Sequence, residues 1–293
     1  MFETFESRTL PGEGADIFCR VGGSGDPLLL LHGYPQTGAM WAPIAERLAA
    51  RFTLVIPDLR GYGRSTCPES TTGGNFTKRV MARDMVALMS GLGHERFRLA
   101  GHDRGGRVAY RLALDHPDRV QALACLDIVP TFDMWERMGW EEALRTYHWA
   151  FLAQPNPMPE RLIGADPVFY LDHTLASWTK AHSLAAFSSE ALAEYRKAFS
   201  QSDTIHAACE DYRAGATLDR DYDAADRAAG RTIDCPMLAL WGATGTPAAG
   251  GSVLDTWKVW CPNVEGRAIE SGHFIAEEAP DETAEALLEF FSR

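Results

Sequence analysis

The sequence predicts an α/β fold: a mostly parallel sheet with helices on both faces, interrupted once by an inserted helical cap. Three observations predict it. Short apolar runs alternate with helix-like stretches over most of the 293 residues. The alternation breaks between Thr131 and Gly230. One apolar run ends in a Gly-x-Asp-x-Gly turn that leads directly into a helix.

Taken in order, the strand candidates are Leu28–Leu31, Leu54–Ile56, Phe97–Ala100, Ala122–Leu126, Met237–Trp241 and Val264–Ile269. Short runs of this kind, separated by helices, are the pattern of a parallel sheet buried on both faces. Parallel neighbours need right-handed crossovers, so the helices fall into βαβ units. From Thr131 to Gly230 the pattern turns helical and aromatic-rich, with Trp135, Trp140, Tyr147, Trp149, Phe151, Tyr170, Trp178, Tyr195 and Tyr212. It is read as a cap, residues 131–230, on a core made of residues 1–130 and 231–293. The plainer alternative is an extra helical layer without a binding role. A cleft between such an insertion and a sheet is, however, a usual small-molecule site.

Composition narrows the function. The apolar fraction of 46% and the charged fraction of 23% are those of an ordinary globular protein. A formal charge of −12 opposes binding to nucleic acid. No apolar stretch reaches the length of a membrane span. The acidic start Met1-Phe2-Glu3-Thr4-Phe5-Glu6 is unlike a signal peptide, so a cytoplasmic location is expected. Cys19, Cys67, Cys125, Cys209, Cys235 and Cys261 are scattered, with no Cys-x-x-Cys pair, which fits a reducing compartment. No metal-ligand spacing is present, and Gly22-Gly23-Ser24-Gly25 precedes a strand, the wrong place for a dinucleotide loop. The Asn75-Phe76-Thr77 sequon is read as chance.

The strongest local signal is Leu99-Ala100-Gly101-His102-Asp103-Arg104-Gly105-Gly106. It has the form of a nucleophile elbow with aspartate where esterases carry serine. The substitution has a chemical meaning. A serine that attacks a saturated carbon leaves an ether, which water does not readily release. A carboxylate leaves an ester, cleavable at its carbonyl, and needs no base for the attack because it is already ionised. The competing reading is an aspartate that caps the following helix.

Ester hydrolysis requires a base for water. Glu270-Ser271-Gly272-His273-Phe274 follows the last strand, and an imidazole near its natural pKa can take that proton. The base in turn needs an acid that orients its ring. The loop Gly242–Gly251 after Met237–Trp241 contains no carboxylate, whereas Asp127 stands among apolar neighbours at the end of Ala122–Leu126. An aspartate there is costly unless paired, so His273 is its expected partner, with a purely structural aspartate as the alternative. The tetrahedral intermediate needs an oxyanion hole. The backbone N–H groups of Tyr34, in His32-Gly33-Tyr34-Pro35, and of Arg104 are the expected donors.

Arg104 follows the nucleophile, and Arg107 lies three residues on, on the same helical face. An anion at about 4 Å from Asp103 would be repelled by roughly 4 kcal/mol at an effective dielectric of about 20. Two guanidinium forks can offset that and grip a carboxylate. The expected substrate is therefore a small halogenated acid. Ordinary pairing of these arginines with acids such as Asp115 or Asp118 is the alternative.

His102-Asp103-Arg104-Gly105-Gly106-Arg107, Leu126-Asp127-Ile128-Val129-Pro130-Thr131, Tyr147-His148-Trp149 and Asp211-Tyr212-Arg213-Ala214-Gly215 together resemble the fluoroacetate dehalogenases of the α/β-hydrolase superfamily. The resemblance spans nearly the whole chain. It implies the α/β-hydrolase fold, in whose numbering Ala122–Leu126 is strand six and the cap follows it. It implies Asp103 as nucleophile, Asp127 as acid, His273 as base, and Arg104 with Arg107 as the carboxylate site. His148, Trp149 and Tyr212 are implied as hydrogen-bond donors to the departing halide. A cytoplasmic homodimer without metal or organic cofactor is implied as well. Tyr34 stands where the family carries phenylalanine, a departure that bears on pocket shape. The rival readings are an epoxide hydrolase, which would use the same nucleophile but usually tryptophan in the position of Arg104, and a non-catalytic receptor for a small ligand.

Overall fold

In the computed structural model, which describes residues 1–293, eight strands form one sheet. They are β1 (Glu6–Pro11), β2 (Asp16–Gly23), β3 (Asp26–Leu31), β4 (Phe52–Pro57), β5 (Phe97–His102), β6 (Val120–Leu126), β7 (Met237–Gly242) and β8 (Val264–Ile269). Their spatial order is β1-β2-β4-β3-β5-β6-β7-β8. β1 pairs antiparallel with β2, and β2 with β4; every other pairing is parallel.

The six expected runs are β3 to β8, some longer at their ends than the apolar core suggests. Leu28 to Leu31 are wholly buried, as are Leu99 and Ala100, which is why these strands read as continuous apolar stretches. β1 and β2 were not expected. β1, Glu6-Ser7-Arg8-Thr9-Leu10-Pro11, is an edge strand with nearly every side chain exposed, so it lacks an apolar signal. Gly22 and Gly23 belong to the end of β2.

Within the core, α1 (Ala42–Ala49) packs on α15 (Pro280–Phe291), and α2 (Lys78–Gly91) packs on α3 (Asp103–Asp115), which lies along β5 and β6. Thr77 caps α2 by accepting from the Val80 N–H at 3.3 Å. Eight helices and no strand lie between β6 and β7: α4 (Thr131–Glu136), α5 (Trp140–Arg145), α6 (Tyr147–Leu152), α7 (Met158–Ala165), α8 (Pro167–Trp178), α9 (Ser189–Phe199), α10 (Ser202–Ala216) and α11 (Leu218–Ala228). α10 is the central one, packed against α6, α7, α9 and α11. After β7 come α12 (Thr246–Ala249), α13 (Val253–Trp260) and, after β8, α14 (Ile275–Glu278). Trp149, Tyr195 and Tyr212 of the insertion join the same buried apolar cluster as the sheet residues. No helix is long and apolar enough to cross a membrane.

Candidate active site

The turn from β5 to α3 sets the site. Asp103 has φ +45°, left-handed backbone that a non-glycine residue seldom adopts. Crowding explains the flanking glycines. A Cβ on Gly105 would fall on the His32 carbonyl oxygen, and one on Gly106 would meet the Gly101 carbonyl at 2.8 Å. The turn aims the Asp103 side chain into a cavity of about 310 Å³ between the sheet and the insertion. One carboxylate oxygen, Oδ2, accepts the Tyr34 N–H at 2.9 Å. Burial pushes the Asp103 carboxyl up, but the charges of His273, His102, Arg104 and Arg107 outweigh it and hold the group below its ordinary value. Asp103 is thus ionised at neutral pH, with Oδ1 left for other contacts.

His273, after β8, lines the same cavity. Its Nδ1 lies 2.6 Å from Asp127 Oδ2, and Asp127 Oδ1 accepts the Gly242 N–H at 2.8 Å. With Nδ1–H donating to Asp127, Nε2 is the free basic nitrogen, and it has no partner in the protein. Burial lowers the imidazole pKa, but the hydrogen bond to Asp127 and the charges of Asp127 and Asp103 raise it above its ordinary value. Gly245 passes so near that a Cβ there would meet Asp127 Oδ1 at 2.6 Å.

The two arginines differ. Arg104 is wholly buried. Its Nη2 donates to Asp211 Oδ1 at 2.5 Å and to the Asp211 carbonyl at 2.7 Å, and its Nε donates to Asp211 Oδ2 at 3.1 Å. Asp211, on α10, also takes the Lys78 ammonium and, at 3.0 Å, the Tyr62 hydroxyl. Only Nη1 of Arg104 is left without a partner. Arg107 lines the cavity and has no carboxylate partner. Its Nη1 donates to the Val129 carbonyl at 2.9 Å and to Thr131 Oγ1 at 3.2 Å, while its Nε has no partner. Burial, and then the neighbouring Arg104, pull its pKa down. Asp115 is taken by Arg79 and Arg111, so it is no partner for Arg107.

The insertion closes the other side. His148 and Trp149, on α6, line the cavity; Tyr212, on α10, stands behind them with its ring centroid 5.6 Å from His148 and 6.0 Å from Trp149. The Arg107 guanidinium lies 4.5 Å from the Trp149 ring centre and the Arg104 guanidinium 4.3 Å from that of Tyr212. Burial pushes the His148 pKa down to about 3, so its imidazole is neutral, and its Nδ1 has no partner. The Tyr34 ring packs edge-on against Tyr212 at 5.2 Å, and its buried hydroxyl has no partner.

The fold therefore gathers Asp103, Arg107, Asp127, His148, Trp149 and His273 around one cavity, with Tyr34, Arg104 and Tyr212 immediately behind it. The Tyr34 N–H reaches the Asp103 carboxylate; the Arg104 N–H makes no hydrogen bond to it. Sequence reasoning missed several residues. Asp211 was quoted only as part of a motif, yet it holds Arg104. Trp178, read as one aromatic among many, lies between His148 and His273, 4.4 Å and 5.3 Å away. His102 Nε2–H donates to the His273 carbonyl at 2.8 Å, and burial pushes its pKa down to about 3, which keeps the ring neutral. No signal in the sequence separates these from core residues.

An aspartate elbow facing an acid-held histidine at the C-terminal edge of this sheet defines an α/β hydrolase, and the chain belongs to that family, whose profile matches residues 26–280. More narrowly, it belongs with the fluoroacetate dehalogenases: it is 45% identical to one from Burkholderia sp, over 100% of this chain and 95% of that one. A soluble epoxide hydrolase from Corynebacterium sp. (strain C12) is 36% identical over 92% and 91% of the two chains. Among solved structures, an α/β hydrolase from Nostoc sp PCC 7120 superposes with TM-score 0.97 at 50% identity, over 100% of both chains. A mutant Pseudomonas aeruginosa protein, provisionally assigned as an epoxide hydrolase and solved with bound MFA, gives 0.93 at 47% identity over 99% and 96%.

Proposed function

We propose that this protein is a haloacetate dehalogenase, with fluoroacetate converted to glycolate and fluoride. Asp103 Oδ1 attacks the carbon that bears the halogen, the carbon–halogen bond breaks, and the halide departs with its electron pair. The product of this step is an ester between Asp103 and glycolate. His273 Nε2 then takes a proton from water, whose oxygen attacks the Asp103 carbonyl carbon. The charge that develops on Oδ2 meets the Tyr34 N–H already pointed at it. Collapse expels glycolate, which takes the proton from His273 and leaves Asp103 as the acid; held below its ordinary pKa, that acid loses its proton to solvent and the carboxylate is restored. Asp127 orients the ring and stabilises the imidazolium.

The observation that carries this reading is Arg107, a buried cation that faces the cavity beside the nucleophile with no carboxylate of its own. Such a charge is costly to bury, and an anionic substrate offsets the cost. Arg104, through its free Nη1, is the second member of the carboxylate site. His148, Trp149 and Tyr212 donate to the leaving halide, where fluoride in a dry pocket attracts hydrogen bonds strongly. The helical insertion, residues 131–230, acts as the cap over the core.

The protein is expected to work in the cytoplasm, with its six cysteines unpaired, and as a homodimer. Trp140, Leu144, Leu162 and Phe169 of the insertion are 74%, 71%, 59% and 67% exposed, apolar surface suited to a second copy. Sedimentation would test this directly.

The second reading, an epoxide hydrolase, is favoured by the 36% identical relative. An uncharged epoxide gives Arg107 nothing to bind. Incubation with fluoroacetate, chloroacetate and styrene oxide distinguishes the two: halide without diol supports the dehalogenase, and diol without halide overturns it. No turnover of any of the three would favour a ligand receptor.

A further inference from the structure

Glu278 ends α14 and has no place in the chemistry above. Its carboxylate accepts three backbone N–H groups: Oε1 from Phe274 at 3.0 Å, and Oε2 from Gly272 at 3.0 Å and from Lys180 at 2.8 Å. Two of these donors flank His273 in the chain. The third lies in the insertion, in the turn that follows α8. The His273 N–H itself donates to the Trp178 carbonyl at 2.9 Å, again in the insertion. The two chain segments of this junction are close: a Cβ on Gly272 would meet the Lys180 nitrogen at 2.5 Å and the Trp178 oxygen at 2.6 Å. The peptide of His273 is therefore held from one side by a core carboxylate and from the other by an insertion carbonyl, and the same carboxylate grips both.

We infer that Glu278 is a positioning residue that locks the His273 loop to segment 178–180, so that the imidazole keeps its line to Asp103 and Asp127 only while the insertion is seated. The inference rests on the proposed role of His273 as base. A carboxylate is suited to the task because it accepts on both oxygens and carries charge that strengthens each bond. Glutamine has one accepting oxygen, and its amide would confront one of the three N–H groups with another donor. The charge also reaches the ring. Around His273 stand Asp127 at the end of β6, Asp103 and His102 at the elbow, Trp178 from the insertion, and Glu278, whose negative charge favours the imidazolium. Further out, Lys180 pairs with Glu270.

The test uses E278Q and E278D in the full chain, with two readouts. The first is NMR titration of the His273 imidazole without substrate. E278Q is expected to lower its pKa by roughly half a unit or more, while E278D, which keeps the charge, stays nearer wild type. The second separates the two chemical steps with fluoroacetate. E278Q is expected to slow breakdown of the Asp103 ester about tenfold or more, so that ester accumulates, while the single-turnover halide burst changes less than about threefold. Wild-type imidazole pKa and wild-type ester breakdown in E278Q would overturn the inference. So would equal loss of both steps in a folded variant, which would make Glu278 a general structural residue. Should E278Q not fold, E278D decides on the step ratio: selective slowing of ester breakdown supports the lock, and an unchanged ratio overturns it. If wild type releases no halide, the haloacid reading falls, whereas the substrate-free titration still judges Glu278.

Discussion

His273 Nδ1 stands 2.6 Å from Asp127 Oδ2, although the two residues are 146 positions apart in the chain. The pairing leaves Nε2 as the only ring nitrogen able to serve as base, and it raises the imidazole pKa above its ordinary 6.5 despite burial. Only the neutral ring can accept a proton from water. Turnover limited by ester hydrolysis is therefore expected to fall as pH drops through a value above 6.5, which a pH profile of kcat reads directly. Asp127→Asn is expected to cost about 10²- to 10⁴-fold in turnover and to move that limb to lower pH. A limb that stays in place would exclude Asp127 as the partner.

Removal of the base separates the two steps. His273→Ala retains Asp103, Arg107 and the halide-side donors, so one equivalent of halide is expected per active site, followed by arrest. Mass spectrometry of the peptide that contains Asp103 should then show a carboxymethyl gain after exposure to haloacetate. A folded variant that binds haloacetate yet never shows the adduct would rule out the covalent route.

The two arginines predict opposite stability outcomes. Arg107 has no carboxylate partner, so Arg107→Met is expected to leave Tm unchanged or higher, while kcat/KM for haloacids falls by 2 kcal/mol or more, about 30-fold. Arg104 neutralises Asp211, so Arg104→Met leaves a buried carboxylate with Lys78 as its one remaining cation, beside the Tyr62 hydroxyl, and is expected to cost about 3–5 kcal/mol of stability. Thermal melts of the two variants beside wild type give the answer. Equal destabilisation would mean that Arg107 has a structural partner as well.

Glu277 carries the clearest pH signature in stability. Burial pushes its carboxyl up to about 8, and it contacts Gln36 Nε2 at 2.5 Å and the Tyr195 hydroxyl at 2.9 Å. The folded value lies above the unfolded one, near 4.5, so between the two the unfolded chain binds fewer protons and stability declines as pH rises. Its contribution is fully present below about 4.5 and lost through about 8. Glu277→Gln, a mimic of the protonated acid, is expected to raise Tm relative to wild type at pH 8.5, with the gap closing toward pH 5.

Much of this was legible in the sequence because the information is local. β3 to β7 are apolar enough to stand out, and the elbow is a contiguous motif in which Gly101 and Gly106 answer to each other, while Gly105 answers to the distant His32 carbonyl. Asp127 was reachable by elimination, since the loop after β7 holds no acid. What was not legible depends on contacts far apart in the chain. β1 is held by ladder hydrogen bonds rather than by an apolar face, β2 buries only the short run Ile17-Phe18-Cys19, and the partner of Arg104 lies 107 residues away, on α10. Glu278 and Glu277 are adjacent in sequence and identical in type. Only the fold gives one three backbone donors and the other a side-chain pair that tolerates a proton.

The insertion leaves the sheet at Leu126 and rejoins it at Met237, on two strands that pair directly, with Leu126 opposite Leu240. Because the two strands are parallel, the eight helices make up the crossover from the C-terminal end of β6 back to the N-terminal end of β7. Such a crossover lets evolution exchange or reshape the roof of the cavity while the sheet beneath keeps its strands, and in this architecture new specificities should arise by turnover of the insertion rather than of the sheet-side machinery below it.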